Sequence, residues 1–299
     1  MLMKGLLLLF AAVITWGALS IHVMHEHHLR KPMSKVLRRR HAYVFLDIGF
    51  DFKCQLNVQL RALNMTGVKE GIDIVVMTQD AELLKAAIPE YVVVQQVPHA
   101  VTRGSFQWKT SYDKLLWSTL TLYDRIVFIE IDDFILGNLD HLFEYSPFLT
   151  TFAAPRAYWM KQPYIQTGPV VGDPSLLSVQ RHFRHVLYER YNRNLDGDND
   201  WTNLEFIDAA PILHGFYALL ISEWIPGDPV YNYWGAEFNM TPAQVYATAK
   251  LVHFISPGHK PWHVDLPTLM VKHPTAPAEY FEIYRRWYAL QEAVCLAVG

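Results

Sequence analysis

The chain carries only two cysteines in 299 residues, too few for the disulfide framework that small secreted folds depend on. Cys54 falls in an apparent helix and Cys295 in the apolar C-terminal helix, so both read as buried thiols, with a single bond the remaining alternative. Charge of one sign is also missing. A formal net charge of -3 provides no global basic field, which excludes nucleic acid as the main partner. No internal repeat, low-complexity tract or linker follows Arg40, and no second carboxylate cluster of the kind that two-metal phosphohydrolases use is visible. What is abundant is apolar and aromatic surface. With 51% hydrophobic and 14% aromatic residues, the chain buries a large core and has rings to spare for stacking.

Residues 5–24 (GLLLLFAAVITWGALSIHVM) form an uncharged run long enough to cross about 30 Å of hydrocarbon. A membrane anchor is the preferred reading, because the run continues past the weak Ala18-Leu19-Ser20 cleavage site; the alternative is a cleaved signal peptide. The first expectation is a single-pass type II protein of the Golgi or another secretory membrane, and the second a secreted one. Residues 25–40 form a basic stem with six Lys or Arg, which by the positive-inside rule would hold the following domain in the cytosol, against a lumenal reading. Residues 41–299 read as one catalytic domain. Asn64-Met65-Thr66 and Asn239-Met240-Thr241 match the N-glycosylation pattern.

From Ala42 onward, β-rich runs alternate with helical patterns, which predicts an α/β fold: a Rossmann-like, mostly parallel sheet flanked by helices. Strands are predicted at 42–47, 72–78, 91–97 and 126–131, with helices at 52–67, 81–88 and 111–124 between them. The second half is less regular. It is read as a lid and acceptor-side elaboration, with a helix at 175–192, an acidic loop at 195–200, strands at 210–213 and 217–221, another ending at 251–254, and an amphipathic terminal helix.

The strand at 126–131 ends in Glu130, Asp132 and Asp133. Carboxylates at the mouth of a buried strand are costly to desolvate unless a cation or hydrogen-bond donors meet them. Oxygen donors of this kind suit a hard divalent ion such as Mn²⁺ or Mg²⁺, although a turn cap built from Asp132 or Asp133 accounts for them equally well. In open parallel sheets, ligands bind beyond the carboxyl ends of the strands, which is where these acids fall. A second group lies in LVHFISPGHKPWHV, where His253 closes an apolar strand and a Pro-Gly turn presents His259, Lys260 and Trp262. A lone strand histidine is most often a core residue, and a lone lysine most often solvated.

IVFIEIDDFILGNLDHLF resembles the metal-binding strand of glycosyltransferase family 8, the glycogenin-like retaining enzymes. HFISPGHKPW is similar to that family's later histidine, glycine, Lys-Pro and Trp motif. KLLWSTLTLYDRIVF, with Lys114 and Trp117, and GDNDWTNLEF complete four motifs in the family's order, nearest the fungal branch of Golgi N-acetylglucosaminyltransferases. The resemblance covers residues 42–262. It implies a GT-A fold, a UDP-sugar donor, Mn²⁺ with Mg²⁺ as the substitute, and a glycan or glycoprotein acceptor. It would make Glu130, Asp132 and His253 metal ligands, and place Phe52 against the uracil. Gly258 and Lys260, with Asp132, would serve the diphosphate, while Lys114, Asp198 and Asn199 would line the catalytic sugar and acceptor side. Glu130 stands where the family has aspartate, and Gln166-Thr167-Gly168 where it commonly has Asn-Ser-Gly. Another reading of the same fold is a silent nucleotide-sugar or glycan-binding protein.

Overall fold

Side-chain alternation along the first strand divides the core into two layers. In β1 (His41–Asp47), Tyr43 and Phe45 join one buried cluster, while Ala42 and Val44 join another on the opposite face. The computed structural model describes residues 40–47, 52–98, 111–144, 152–160, 164–176, 202, 212–213 and 215–295. They belong to a unit that begins at Arg39. The expected anchor at 5–24, the stem up to Arg39, and most of the helix and acidic loop at 175–200 lie outside the described residues. Among the described residues, no helix is long and apolar enough to cross a membrane.

After β1 come α1 (Lys53–Met65), β2 (Ile72–Thr78), α2 (Ala81–Lys85), β3 (Val93–Gln96), a 3₁₀ helix (Ser111–Thr119) and β4 (Arg125–Phe128). β1 pairs in parallel with β2 on one side and β4 on the other, and β3 lies beyond β2. The order of the strands therefore reverses between β1 and β4, the kind of switch point beyond whose carboxyl ends open sheets bind ligands. One face is covered by α1, through Leu56, Leu60 and Leu63, and by α6 (described below). The other is covered by Tyr112, Leu115, Leu116 and Trp117 of the 3₁₀ helix. Each such side chain taken fully out of water contributes about 1.5–3 kcal/mol.

The segment expected as an α-helix at 111–124 is this 3₁₀ helix. The Ser118 and Thr119 hydroxyls donate to the Leu115 and Leu116 carbonyls three residues back and compete with regular helical bonding. The strand expected to run unbroken to Ile131 also stops early, at Phe128. The next strand, β5 (Asp133–Ile135), lies in a different sheet.

The second half completes the main sheet rather than only elaborating it. β6 (Phe152–Pro155), β7 (Val170–Gly172) and β8 (Ile212–Leu213) extend it beyond β4. β7 runs antiparallel to both β4 and β6, so the sheet is mixed, while its other pairings are parallel, as expected of a mostly parallel sheet. An antiparallel return needs no crossover helix. Gly172 is required there: a Cβ would lie 2.5 Å from ring atoms of Trp117. A buried fork joins Arg125 at the start of β4 to Asp173 just after β7, at 2.6 and 2.9 Å.

β9 (Leu219–Leu220) replaces the strand expected at 217–221, with 3₁₀ turns on either side. α3 (Tyr233–Glu237) and α4 (Pro242–Thr248) lead to β10 (Leu251–His253), which forms a small sheet between β5 and β9. α4 begins with a capping box of Thr241 and Gln244. α5 (Leu266–Lys272) and α6 (Ala278–Cys295) end the described chain, and α6 buries Tyr280, Ile283, Tyr284 and Trp287.

The two cysteines are bonded to each other, not separate thiols. α1 and α6 lie side by side, bringing Cys54 and Cys295 to a Cα separation of 5.4 Å across 241 residues of sequence. Neither local pattern discloses that juxtaposition.

Candidate active site

Everything at the site follows from one tight turn and one strand register. Between β4 and β5, the Asp133 amide donates to the Glu130 carbonyl at 3.1 Å, closing a four-residue turn. Asp133 Oδ2 accepts the Glu130 amide at 3.1 Å, so the turn is fastened from both ends. The turn-cap reading thus holds for Asp133. Gln59, fully buried on α1, donates to the Ile131 carbonyl at 3.2 Å and ties the turn to the helix. In the small sheet, His253 is the direct cross-strand partner of Asp133, and the Phe254 amide donates to the Asp132 carbonyl at 2.9 Å.

This register sets His253 among the acids. Its Nδ1 lies 2.9 Å from Asp133 Oδ1, 3.8 Å from Glu130 Oε2 and 3.9 Å from Asp132 Oδ1. Glu130, Asp132 and His253 each offer one ligand atom, all within 4.8 Å of one another. One imidazole and two carboxylates are a donor set suited to Mn²⁺ or Mg²⁺, and their spacing fits a single ion. Two lysines complete the cluster. Lys114, from the 3₁₀ helix, forms an ion pair with Glu130, and Lys260 Nζ lies 2.5 Å from Asp132 Oδ2.

Burial and charge act against each other here. Burial pushes the Glu130 and Asp133 carboxyls up, opposed chiefly by Lys114 for the former and His253 for the latter. For Asp132, burial is outweighed by His253 and Lys260, and its pKa falls to about 2. Burial disfavours the His253 imidazolium, yet Asp132, Asp133 and Glu130 together raise its pKa to about 9. Asp132 is thus ionised and His253 protonated near neutral pH, and an entering divalent ion would displace the imidazolium proton.

Gly168 lies against this cluster. A Cβ there would stand 2.8 Å from Glu130 Cγ, 2.9 Å from its Cδ and 3.0 Å from Asp133 Oδ2. Lys260 Nζ also lies over the Trp262 ring, 5.4 Å from its centroid, and Trp262 meets Phe52 edge-on at 6.1 Å. Phe52 precedes α1 and is half-buried. Gly258 sits in the exposed 3₁₀ turn Pro257–His259, whose His259 carbonyl accepts from Tyr284 of α6 at 2.7 Å.

Of the residues expected at the site, Glu130, Asp132, His253, Lys114 and Lys260 come together, with Phe52 linked to Lys260 through Trp262. Asp198 and Asn199 lie outside the described residues. Sequence reading missed Gln59, an ordinary polar residue in a helical pattern that gave no signal. It also missed the closeness of Gly168 to Glu130, for which the departure from Asn-Ser-Gly two residues earlier was the available clue.

No family model matches the chain. Glucose N-acetyltransferase 1 of Gibberella zeae is 32% identical over 209 residues, covering 66% of this chain and 44% of that protein. The chain is similar to this fungal group and to the glycogenins. Human Glycogenin-2 is 27% identical over 158 residues, half of this chain and 27% of that protein. The glycogenin-like resemblance read from the four motifs stands. The chain spans less than half the length of either curated relative. Among solved structures, the galactosyltransferase LgtC, in complex with donor and acceptor sugar analogues, superposes with a TM-score of 0.58 at 14% identity. That match covers 85% of this chain and 96% of LgtC, and it identifies a GT-A-like α/β fold.

Proposed function

We propose that the chain is a retaining glycosyltransferase that moves a hexosyl or N-acetylhexosaminyl group from a UDP-sugar to a glycan or glycoprotein acceptor. The observation that carries this reading is the convergence of Glu130 and Asp132 from one turn with His253 from one strand, with Lys114 and Lys260 at their flanks. Relatives named as transferases and glycogenins support the reaction class. Glu130, Asp132 and His253 would hold the Mn²⁺, or Mg²⁺ in its place. When bound, the ion supplies positive charge for the departing diphosphate.

The remaining work falls to the chain's own groups. Lys260 adds a second positive charge where the diphosphate's charge develops, with the Trp262 ring against its ammonium group. Phe52 offers an aromatic face to the uracil, and Gly258 leaves room for the diphosphate beside Lys260. Lys114, held by Glu130, lines the sugar and acceptor side with Asp198 and Asn199. Asp198 is the candidate nucleophile for a double displacement, and a front-face route without a covalent intermediate is the alternative. Residues 5–24 would anchor the enzyme in a Golgi or other secretory membrane.

UDP release from a panel of UDP-sugars, with and without Mn²⁺, tests the proposal. Turnover that depends on Mn²⁺ and is lost in D132N, with the fold retained, is the expected result. UDP binding without turnover for any donor and acceptor pair would make the chain a binding protein instead.

A further inference from the structure

Asp133 stands apart from its two acidic neighbours. Glu130 and Asp132 retain 12% and 26% side-chain exposure and His253 retains 13%, whereas Asp133 has none. No substrate reaches a carboxylate so enclosed, and it lies outside the group whose ligand atoms converge. Both of its oxygens are nevertheless engaged with that group. Oδ2 accepts the Glu130 amide, and Oδ1 pairs with His253 Nδ1 at 2.9 Å. The cross-strand register of β5 and β10 makes the second contact unavoidable, because directly paired residues project from the same face of a sheet.

We infer that Asp133 is a positioning residue: its carboxylate orients the His253 imidazole and, through the Glu130 amide, fixes the turn that carries both acidic ligands. Nδ1, the nitrogen paired with Asp133, is also the one that lies 3.8 and 3.9 Å from Glu130 Oε2 and Asp132 Oδ1, so the ring must tip about the Asp133 bond for Nε2 to take an ion between those acids. A carboxylate behind a ligating histidine orients the ring and raises its basicity, and its loss typically costs 10–100-fold in metal affinity. Asp133 touches neither substrate nor ion and acts through His253 and Glu130. This inference rests on the metal-binding reading of Glu130, Asp132 and His253.

The test is Mn²⁺ binding by the wild type, H253A and D133N, read from the electron paramagnetic resonance of free Mn²⁺, with thermal melting as the check on folding. An asparagine retains one acceptor oxygen, so it can serve His253 or the Glu130 amide but not both. The expected result is a dissociation constant raised about 10–100-fold in D133N. The Mn²⁺ activation constant should rise in parallel, with kcat at saturating Mn²⁺ and metal-free UDP affinity nearly unchanged. A residue with only a structural part would lower the melting temperature and kcat without moving the Mn²⁺ constants.

Should D133N not fold, long-range ¹H–¹⁵N spectra of the Mg²⁺-loaded wild type give the answer: a proton on His253 Nδ1 supports the inference and one on Nε2 overturns it. Unchanged Mn²⁺ affinity in folded D133N overturns this inference alone. A wild type that binds no Mn²⁺ overturns the metal reading and this inference together.

Discussion

Replacing Gly168 by alanine tests whether the site is held as closely as its geometry states. The added methyl would stand 2.8 and 2.9 Å from Glu130 Cγ and Cδ, against an optimal carbon–carbon separation of about 3.5–4.0 Å. Glu130 or the 166–168 segment must therefore move by about 0.6–1.2 Å. Neither yields freely, because Glu130 is tied to Lys114, and Asp133 Oδ2, itself 3.0 Å from the same methyl, is fastened to the Glu130 amide. Overpacking of this kind costs about 1–3 kcal/mol of stability. A ligand displaced that far also exceeds the roughly 0.2 Å tolerance of a metal site, so Mn²⁺ affinity should fall at least about tenfold. Shortening the neighbour separates sterics from other causes. In G168A/E130D, the carboxylate withdraws by a methylene, and part of the lost stability should return as a non-additive term in the double-mutant cycle. Denaturant midpoints and Mn²⁺ titrations of the four proteins give both readouts. Full additivity, or wild-type stability and affinity in G168A, would refute the reasoning.

Mn²⁺ affinity should rise about tenfold per pH unit between pH 7 and 9, because binding must release the proton that His253 holds up to about pH 9; an affinity independent of pH contradicts this. Glu223, 2% exposed and bonded to the Trp234 amide, has its pKa raised by burial from 4.5 to about 7. Its protonated form favours the folded state, so the protein has the full benefit below pH 4.5 and loses about 3 kcal/mol as the pH climbs through 7. E223Q should match the wild type near pH 4.5 and exceed it above pH 7 in urea unfolding, and equal pH slopes would reject the assignment. Because the Cys54–Cys295 bond closes a loop spanning 241 positions, C54S should cost about 2–5 kcal/mol and abolish the effect of reductant on the melting curve; two titratable thiols in the unreduced, denatured protein would disprove the bond.

How much of the site was legible follows from the range of each interaction. Glu130 and Asp132 stood out because acids at the end of an apolar run are anomalous within a few residues of chain. His253 and Lys260 were legible only as parts of an ordered set of motifs, since each alone reads as a core or surface residue. The ion pairs that bind Lys114 to Glu130 and Lys260 to Asp132 join positions 16 and 128 residues apart, and no local pattern records them. The strand expected to continue through Ile131 broke because Asp133 bonds to the Glu130 amide, a side-chain-to-backbone contact that β propensity does not register.

Periodicity and composition by themselves determined the alternating α/β order, the parallel β1, β2, β3 and β4 half-sheet, the amphipathic terminal helix and the acidic end of β4. They do so because burial of apolar faces at periods of 2 and 3.6 is a property of contiguous residues. Tertiary structure alone decided the antiparallel β7, the change of sheet between β4 and β5, the disulfide, the encroachment of Gly168 on Glu130 and the pairing of Asp133 with His253. Each of these depends on which distant segments become neighbours, and that is fixed by the joint packing of two core layers rather than by any stretch of chain.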